Sequence, residues 1–474
     1  MRDIRSIPVL GLILFFINVG LGQHQDLQEK PKIWQNDGKT SGDTTNILAA
    51  FKAGTFNGHF RYFFSSTINK GELSDYVANA VGGGLRYETA SFYHFKVGVS
   101  GFYIFNAGSS HLAGKDELSG QSNRYEIGLF DVTDPENLSE INRLEEFFIK
   151  YQVAKIKVTF GRQLLNTPFI NLQDGRMRPT AVEGLWIESD FHKNHQIQLG
   201  WLNAVAPRST SKWYGVGESI GIYPSGVDTK GQKSNYADNV ITKGVLLANY
   251  QAKFDYPLIF NVWNMWVESV LNNTMLQADW EQKLKSGKLY AGIQGSGQTK
   301  SGNGGNNDPS KVYYTNSSPV YTYGTRIGWK NMNWDYSLNF NRISASGRYL
   351  NPREWGRDYF FTFMPRERNE GFGDVTAFLA KVTYTYNRNS SIQLAAGTFD
   401  LPDVKNVLVN KYGMPSYYQL NIDVRHKFTG ALNGFEAQIL WVSKFRKGET
   451  YNEPRYIIHK VDMNLLNVVL NFRF

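Results

Sequence analysis

One stretch of this chain gathers the residue types that bind or steer ions. It opens at Gly161-Arg162-Gln163, passes Pro168 and Asn171, and reaches Asp174-Gly175-Arg176-Met177-Arg178-Pro179-Thr180 before Gly184. Arg162, Arg176 and Arg178 supply guanidinium groups that hold carboxylates or phosphates by paired hydrogen bonds. Pro168 and Pro179 fix their own φ and stiffen the segment. A stiff cationic loop can narrow a passage and sort what enters by size and charge. The plainer alternative is a surface loop capped by pairing of Asp174 with its neighbouring arginines.

No constellation for covalent chemistry appears elsewhere. The eight histidines are scattered. His192 and His195 lie together at an expected short turn with no third ligand nearby in sequence, so no metal site is assigned. No nucleophile elbow, phosphate-binding loop or dinucleotide fingerprint occurs in a strand–turn–helix setting. Gly295-Ser296-Gly297 and Gly302-Asn303-Gly304-Gly305 read as flexible linkers. The chain carries no catalytic residue or cofactor site that its sequence can name, and it reads as a non-enzyme.

The elements that must position these charges are strands. From the end backwards, Phe474, Phe472, Leu470, Val468 and Leu466 share one face, and Arg473, Asn471 and Asn467 share the other. This is the period-two pattern of a strand with one apolar side. The same alternation recurs along the chain. Phe56, Phe60 and Phe64 oppose Asn57, His59 and Arg61. Tyr93, Phe95 and Val97 oppose His94 and Lys96. Phe147 and Ile149 oppose Glu146 and Lys150, Trp334 and Tyr336 oppose Asp335, and Tyr418, Leu420 and Ile422 oppose Asn421 and Asp423. The runs are roughly 8–11 residues long, enough to cross a bilayer at a tilt. Their polar faces hold Gly, Ala, Ser, Asn and Gln with single charges, as suits the wall of a water-filled tube; a soluble sandwich more commonly shows Lys and Glu there. Tyr313, Tyr314, Tyr321, Tyr323 and Trp329 are placed as an interfacial girdle.

From Thr55 onwards the count is about 18 strands, even in number as single-chain bacterial barrels require. Connections alternate short (Tyr87–Phe92, Val153–Lys157, Lys283–Lys288, Lys330–Asn333, Asn387–Ser390) and long (Asn106–Arg143, Arg162–Thr180, Ala204–Thr242, Thr299–Pro319, Ala345–Asp374, Leu401–Ser416). The expected fold is therefore all-β: a transmembrane antiparallel β-barrel, its final strand zipped to its first.

The front of the chain agrees. Arg2 and Arg5 precede an apolar run from Ile7 to Val19, and Gly20-Leu21-Gly22 supplies small residues for cleavage, so residues 1–22 read as a secretory signal peptide. Residues 23–46 read as a polar N-terminal tail and 47–474 as the barrel. The chain has no cysteine, so neither disulfides nor thiolate metal sites hold it. Mean hydropathy is −0.40 although 15% of residues are aromatic, which fits strands greasy on one side only. The net charge is +9, and removing Arg2, Asp3 and Arg5 with the signal leaves +8. No basic cluster points to nucleic acid; a basic lumen, or contact with outer-membrane lipid and lipopolysaccharide, accounts for the charge better.

By alternation, Arg61, Lys96, Lys157, Arg326 and Arg425 face the lumen, and Arg162, Arg176 and Arg178 join them from the loop. Such a ladder can pass an anionic group between weak sites. Equally, each can be paired with a lumenal acid such as Glu88, Glu146, Asp335 or Asp423. The Ala345–Asp374 loop balances Arg348, Arg353, Arg357, Arg366 and Arg368 against Glu354, Asp358, Glu367, Glu370 and Asp374, as a salt-bridged lid would.

The Gly161-Arg162 start, Pro168, Asp174-Gly175-Arg176-Met177-Arg178-Pro179 and Gly184 together resemble the constriction-loop region of the OprD-type outer-membrane porins. Tyr417-Tyr418-Gln419-Leu420-Asn421-Ile422-Asp423, then Gly434-Phe435-Glu436-Ala437-Gln438 and Lys444, are similar to that family's penultimate strands. Arg178 departs from the pattern, in which an apolar residue usually precedes the proline. The resemblance implies an 18-stranded barrel with inward-folded constriction loops in a Gram-negative outer membrane, a basic ladder along one wall facing an acidic or carbonyl-lined patch, and diffusion of small hydrophilic solutes: carboxylates, amino acids or sugars. Monomer and homotrimer are both compatible with it. The competing readings are a secreted β-rich carbohydrate-binding protein or hydrolase, and a barrel acting as adhesin or lipolytic enzyme.

Overall fold

The computed structural model describes residues 31–35, 42–173, 176–254 and 257–474. The signal segment, parts of the tail, and Asp174 and Gly175 of the basic loop lie outside the described residues. Eighteen long strands make the wall: β1 (Thr55–Asn69), β2 (Tyr76–Glu88), β3 (Phe95–Ser109), β4 (Ile141–Val153), β5 (Ile156–Gln163), β6 (Ala181–His192), β7 (His195–Ala206), β8 (Val245–Lys253), β9 (Leu258–Val267), β10 (Leu271–Leu284), β11 (Gly287–Lys300), β12 (Val320–Lys330), β13 (Trp334–Ile343), β14 (Val375–Asn387), β15 (Ser390–Asp400), β16 (Tyr417–Lys427), β17 (Phe435–Arg446) and β18 (Met463–Arg473). Each pairs antiparallel with the next. β18 closes on β1, with Arg473 opposite His59 and Met463 opposite Asn69. Beyond that register Phe474 and Gly58 exchange two backbone hydrogen bonds, of 2.9 and 3.1 Å. A side chain at Gly58 would collide with the Phe474 ring as it lies, so the glycine lets that ring lie across the seam. Among the described residues the wall has no open edge strand, which answers the expectation raised by the terminal strand.

The apolar sides of the strands face outwards. Phe56, Phe60, Phe147, Phe160, Ile293, Ile327 and Leu338 are all more than half exposed, an arrangement that is stable only against lipid. The opposite faces carry Asn57, Ser65, Thr67, Asn249, Asn339, Gln419 and Asn467, all buried inside the barrel. The soluble-sandwich reading does not survive this geometry. Tyr321 and Tyr323 stand in an outer aromatic band, and Trp329, Trp334, Tyr336 and Tyr384 stack together at the other rim. Tyr313 and Tyr314 do not belong to a girdle. Both are buried in the core formed by the loops, and Tyr313 packs edge-on against Tyr236. Gly295-Ser296-Gly297 is no linker either: it is part of β11, where Ser296 bonds Thr322 across the lumenal face at 2.8 Å.

One end of the barrel has short turns and the other long loops, which marks the short-turn end as periplasmic. At that end a helix, α1 (Ile47–Lys52), is capped by Asn46 and precedes β1. Its Ile47, Leu48 and Phe51 are exposed, and Phe51 stacks on Tyr87 of β2. Asp43–Thr44 runs parallel to Ser91–Phe92 at the β2–β3 turn. At the other end three loops fold inwards: L2 (110–140), L3 (164–180) and L7 (344–374). Their buried side chains fill the outer part of the lumen, with Leu129 and Phe130 packed against Phe63 and Phe102, and Tyr349, Trp355 and Phe360 in the main core.

Candidate permeation site

L3 begins and ends on a glycine pair. Gly161 (φ +112°) lies opposite Gly184 in the β5–β6 ladder, and a Cβ at Gly161 would meet the Phe147 carbonyl. Between them the loop is pinned by an ion pair sealed from solvent. Glu145 of β4 is 0% exposed. It receives Arg178 from L3 through Nε (2.8 Å) and Nη2, and Arg143 through Nη2 (2.9 Å). Arg178 also reaches His59 of β1 (3.0 Å), and its guanidinium covers the rings of Trp34 (4.8 Å) and Phe102 (4.5 Å). Arg143 donates to the carbonyls of Pro179 (2.7 Å) and Pro207 (2.9 Å). Arg61 donates to the carbonyl of Arg176, which sits at φ +50°. Arg178 and Pro179 are thus anchors of the loop, and Arg178 does not face a water-filled passage.

Arg162 departs further from expectation. It lies on β5 rather than in the loop, opposite the lipid-facing Phe147, so it points out of the barrel. There it pairs with Glu183 (2.8 Å) and lies over the Trp213 ring (4.6 Å). Arg162 is therefore no pore-lining residue.

L7 crosses the lumen as a beam. It is held to L3 by Asn171, which donates to the Arg357 carbonyl (2.9 Å) and accepts from the Arg357 N–H (3.1 Å), while Thr180 donates to the Glu354 carbonyl (2.7 Å). Gln294 of β11 donates to the Tyr359 carbonyl, Gln419 of β16 to Pro365, and Lys444 of β17 to Arg366. The charges of L7 are met largely by backbone and by other loops rather than by one another. Glu354 accepts the N–H groups of Gly221 and Tyr223, and Asp358 those of Asn369 and Glu370. Glu370 faces Lys411 of the 401–416 loop at 3.8 Å. Burial lowers the Lys411 ammonium to about 8, against the pull of Glu370. The same burial raises the Glu370 carboxyl.

Beneath this beam, towards the short-turn end, two adjoining cavities remain. The larger, about 710 Å³, runs along β8–β16 and is lined by Asp279, Tyr290, Arg326, Lys381, Asp423 and Arg425 among others. The second, about 460 Å³, shares Lys253, Arg326, Phe363 and Lys381 with it and lies under L3 and L7. Among its described lining residues the charged ones are Lys253, Arg326, Arg357 and Lys381, of which Arg326 keeps its bond to Asp279. A third cavity, about 190 Å³, lies against β4–β7 and holds Lys150, Lys157 and Glu188.

The remaining candidates are lumenal and paired. Lys96 faces Glu88 (3.8 Å), Lys157 bonds Glu188, Arg326 bonds Asp279 (2.8 Å) and Arg425 grips Asp423 (2.7 Å). Glu146 takes Arg86 (3.2 Å), and Asp335 takes Lys330 (3.3 Å) and the Tyr290 hydroxyl (2.7 Å). Arg326 and Arg425 share the large cavity with Asp335 and Asp423; Arg61, Lys96 and Lys157 stand away from it. Three features were missed in the sequence. Lys381 and Lys253 follow the alternation of β14 and β8 and could have been found from it. Glu145 could not: a bulge pairs Ser100 with Glu146 and Gly101 with Leu144, so Glu145 and Glu146 both turn inwards.

A closed 18-stranded barrel with a lipid-facing belt, inward loops and a charged cavity defines a transmembrane β-barrel channel. A model of the family described as "outer membrane porin, OprD family" matches residues 111–353, more than half of the chain, and the chain belongs to that family. It is an outer-membrane porin. Among solved structures the fold is similar to Pseudomonas aeruginosa OpdK crystallised with vanillate (TM-score 0.68, 13% identity, 90% of this chain and 99% of that one). It is similar also to P. aeruginosa OccK9 (OpdG) (TM-score 0.70, 11% identity, 90% and 99%) and to Acinetobacter baumannii OccAB2 (TM-score 0.69, 12% identity, 90% and 99%). No curated protein matches the chain in sequence.

Proposed function

We propose that this porin lets small hydrophilic solutes diffuse across a Gram-negative outer membrane, with preference for anions that carry a carboxylate, and with no covalent step or energy source. The observation that carries the preference is the inner cavity, to whose described lining Lys253, Arg326, Arg357 and Lys381 bring four cationic side chains. A narrow, partly desolvated cationic chamber raises the local concentration of anions. Below it the paired charges Arg326–Asp279 and Arg425–Asp423 alternate sign along the wall of the larger cavity. That alternation would also accommodate amino acids, which carry both signs. The vanillate bound by OpdK in its crystal is consistent with a carboxylate-bearing solute here. The signal would direct export and be cleaved near Gly22.

The test is electrical. The chain from Gln23, refolded into a planar bilayer under a salt gradient, is expected to show stepwise ohmic openings with a reversal potential on the anion side. Aromatic and aliphatic monocarboxylates added to one side should then block the current more than neutral sugars of equal size. Cation preference of the open channel would refute the preference, and a barrel that migrates in the folded form yet stays silent both intact and without residues 23–35 would refute the reading.

A further inference from the structure

The tail in front of the barrel does not stay outside it. Trp34 is 1% exposed although no described element precedes its short segment 31–35. Its indole N–H donates to Glu146 Oε2 of β4 at 2.9 Å. One side of the ring takes the Arg178 guanidinium of L3, and its edge meets His59 of β1 with ring centres 6.3 Å apart. One residue earlier, the Ile33 carbonyl accepts Arg473 Nε of β18 at 3.2 Å. All four partners face the lumen and are buried. Free termini normally fray, and a large aromatic with a satisfied N–H is ordered only where a fitted site repays the lost freedom.

By Asp43–Thr44 the chain is already at the short-turn rim, beside the β2–β3 turn. The segment 31–35 therefore sits in the lumen while its continuation is tied to the periplasmic mouth. On its far side lies the small cavity that Trp34 lines together with Trp186, Lys150 and Lys157.

We infer that segment 31–35 is a tethered plug that closes the β1, β4 and β18 side of the lumen. Trp34 is its wedge, and so a determinant of how wide and how selective the passage is. The inference rests on the porin reading above. The open path is then confined to the β8–β16 wall. Removing the wedge joins the β4–β7 cavity to the passage and uncovers Glu146, a carboxylate, on a wall that otherwise favours anions.

The test compares three chains in planar bilayers: the chain from Gln23, the same chain with Trp34→Ala, and one lacking residues 23–35. Folding of each is checked first by heat-modifiable migration. Because conductance follows open cross-section, truncation should raise single-channel conductance by roughly 1.5-fold or more. Trp34→Ala should act in the same direction, and the anion preference should fall in both. If the intact chain conducts and the truncated chain matches it in conductance and reversal potential, the plug is refuted while the porin reading stands. If the intact chain is silent and the truncated one conducts, the segment is a full closure and the inference holds. If neither conducts, both readings fail.

Discussion

The two sides of this lumen use the same residue types to opposite ends. Against β1, β4 and β18, arginine and glutamate are sealed: Glu145 meets Arg143 and Arg178 with almost no solvent contact, and Trp34 and Phe102 close over the guanidinium. Against β10–β16, Arg326–Asp279 and Arg425–Asp423 border open cavity. A dry ion pair holds together what it joins, because separating it strands a charge in a poor dielectric. A pair that borders open cavity costs less to part, since water can reach either half, and its members stay within reach of a passing ion. Charge on the lumenal face of a strand therefore does not by itself mark a permeation site; the water around it does.

The sharpest way to break this comparison is Glu145→Ala. It leaves Arg143 and Arg178 buried together without their carboxylate. Removal of one partner of a buried pair costs about 3–5 kcal/mol, and a loss of that size is expected in the unfolding free energy, with the midpoint of heat-modifiable migration in detergent lowered accordingly. L3 should detach as well, seen as noisier openings. A variant as stable as the parent would mean that this side is hydrated, and the distinction would fall.

The rule that dryness decides extends to the outer loops. His459, in the 447–462 loop, is buried against Tyr76 and Tyr125, and its backbone N–H donates to Asn69 Oδ1 at 2.9 Å. Burial, followed by the nearby Arg124, lowers its imidazole to about 3, while Asp116 pulls weakly the other way and Lys460 adds to the lowering. A depressed value means that the unfolded chain takes up a proton before the folded one does. The stabilisation is thus complete above about pH 6.5 and is lost as pH falls towards 3, at no more than about 1.4 kcal/mol per pH unit. Stability of the parent should fall over that window more steeply than that of His459→Asn. Parallel pH profiles would show that the imidazole is reached by water.

On the wetted side the prediction changes kind. Lys253→Gln with Lys381→Gln, both bordering open cavity, should lower stability far less than Glu145→Ala does. The reversal potential should shift several-fold towards cations in permeability ratio. The opposite pattern, a large loss of stability with unchanged selectivity, would place these lysines with the sealed pairs.

What the sequence showed of this molecule follows from which interactions are periodic. The wall was legible because lipid on one side and water on the other impose an alternation that the strands from Thr55 to Arg473 follow apart from local bulges, and the short and long connections followed from it. Loops L3 and L7 were legible as loops, but their filling of the lumen depends on contacts such as Asn171 with Arg357, whose partners lie far apart in sequence. Glu145 was hidden by the bulge that turns it inwards beside Glu146. Gly295-Ser296-Gly297 looked like a linker because lumenal strand faces use the same small residues as flexible loops. Tyr313 and Tyr314 looked like a girdle because burial among loops and burial at an interface select the same side chain. Trp34 carried no periodic signal, since its site is assembled from β1, β4, β18 and L3 at once.

Arg162 tests the comparison at its weakest point, the outer surface. It belongs to the motif that carries the family likeness, yet its side chain leaves the barrel on the Phe147 face and meets Glu183 and Trp213 at the outer rim. With the pair about a third exposed (31% and 33%), the expected loss on Arg162→Ala is about 0–1 kcal/mol. Conductance and reversal potential should stay at parent values, because no wall of a cavity is altered. An Arg162→Ala channel whose selectivity moved as far as that of the Lys253 and Lys381 variant would show that charge acts on permeating ions through the rim of the barrel. Hydration inside the lumen would then no longer be what separates a charge that holds from a charge that conducts.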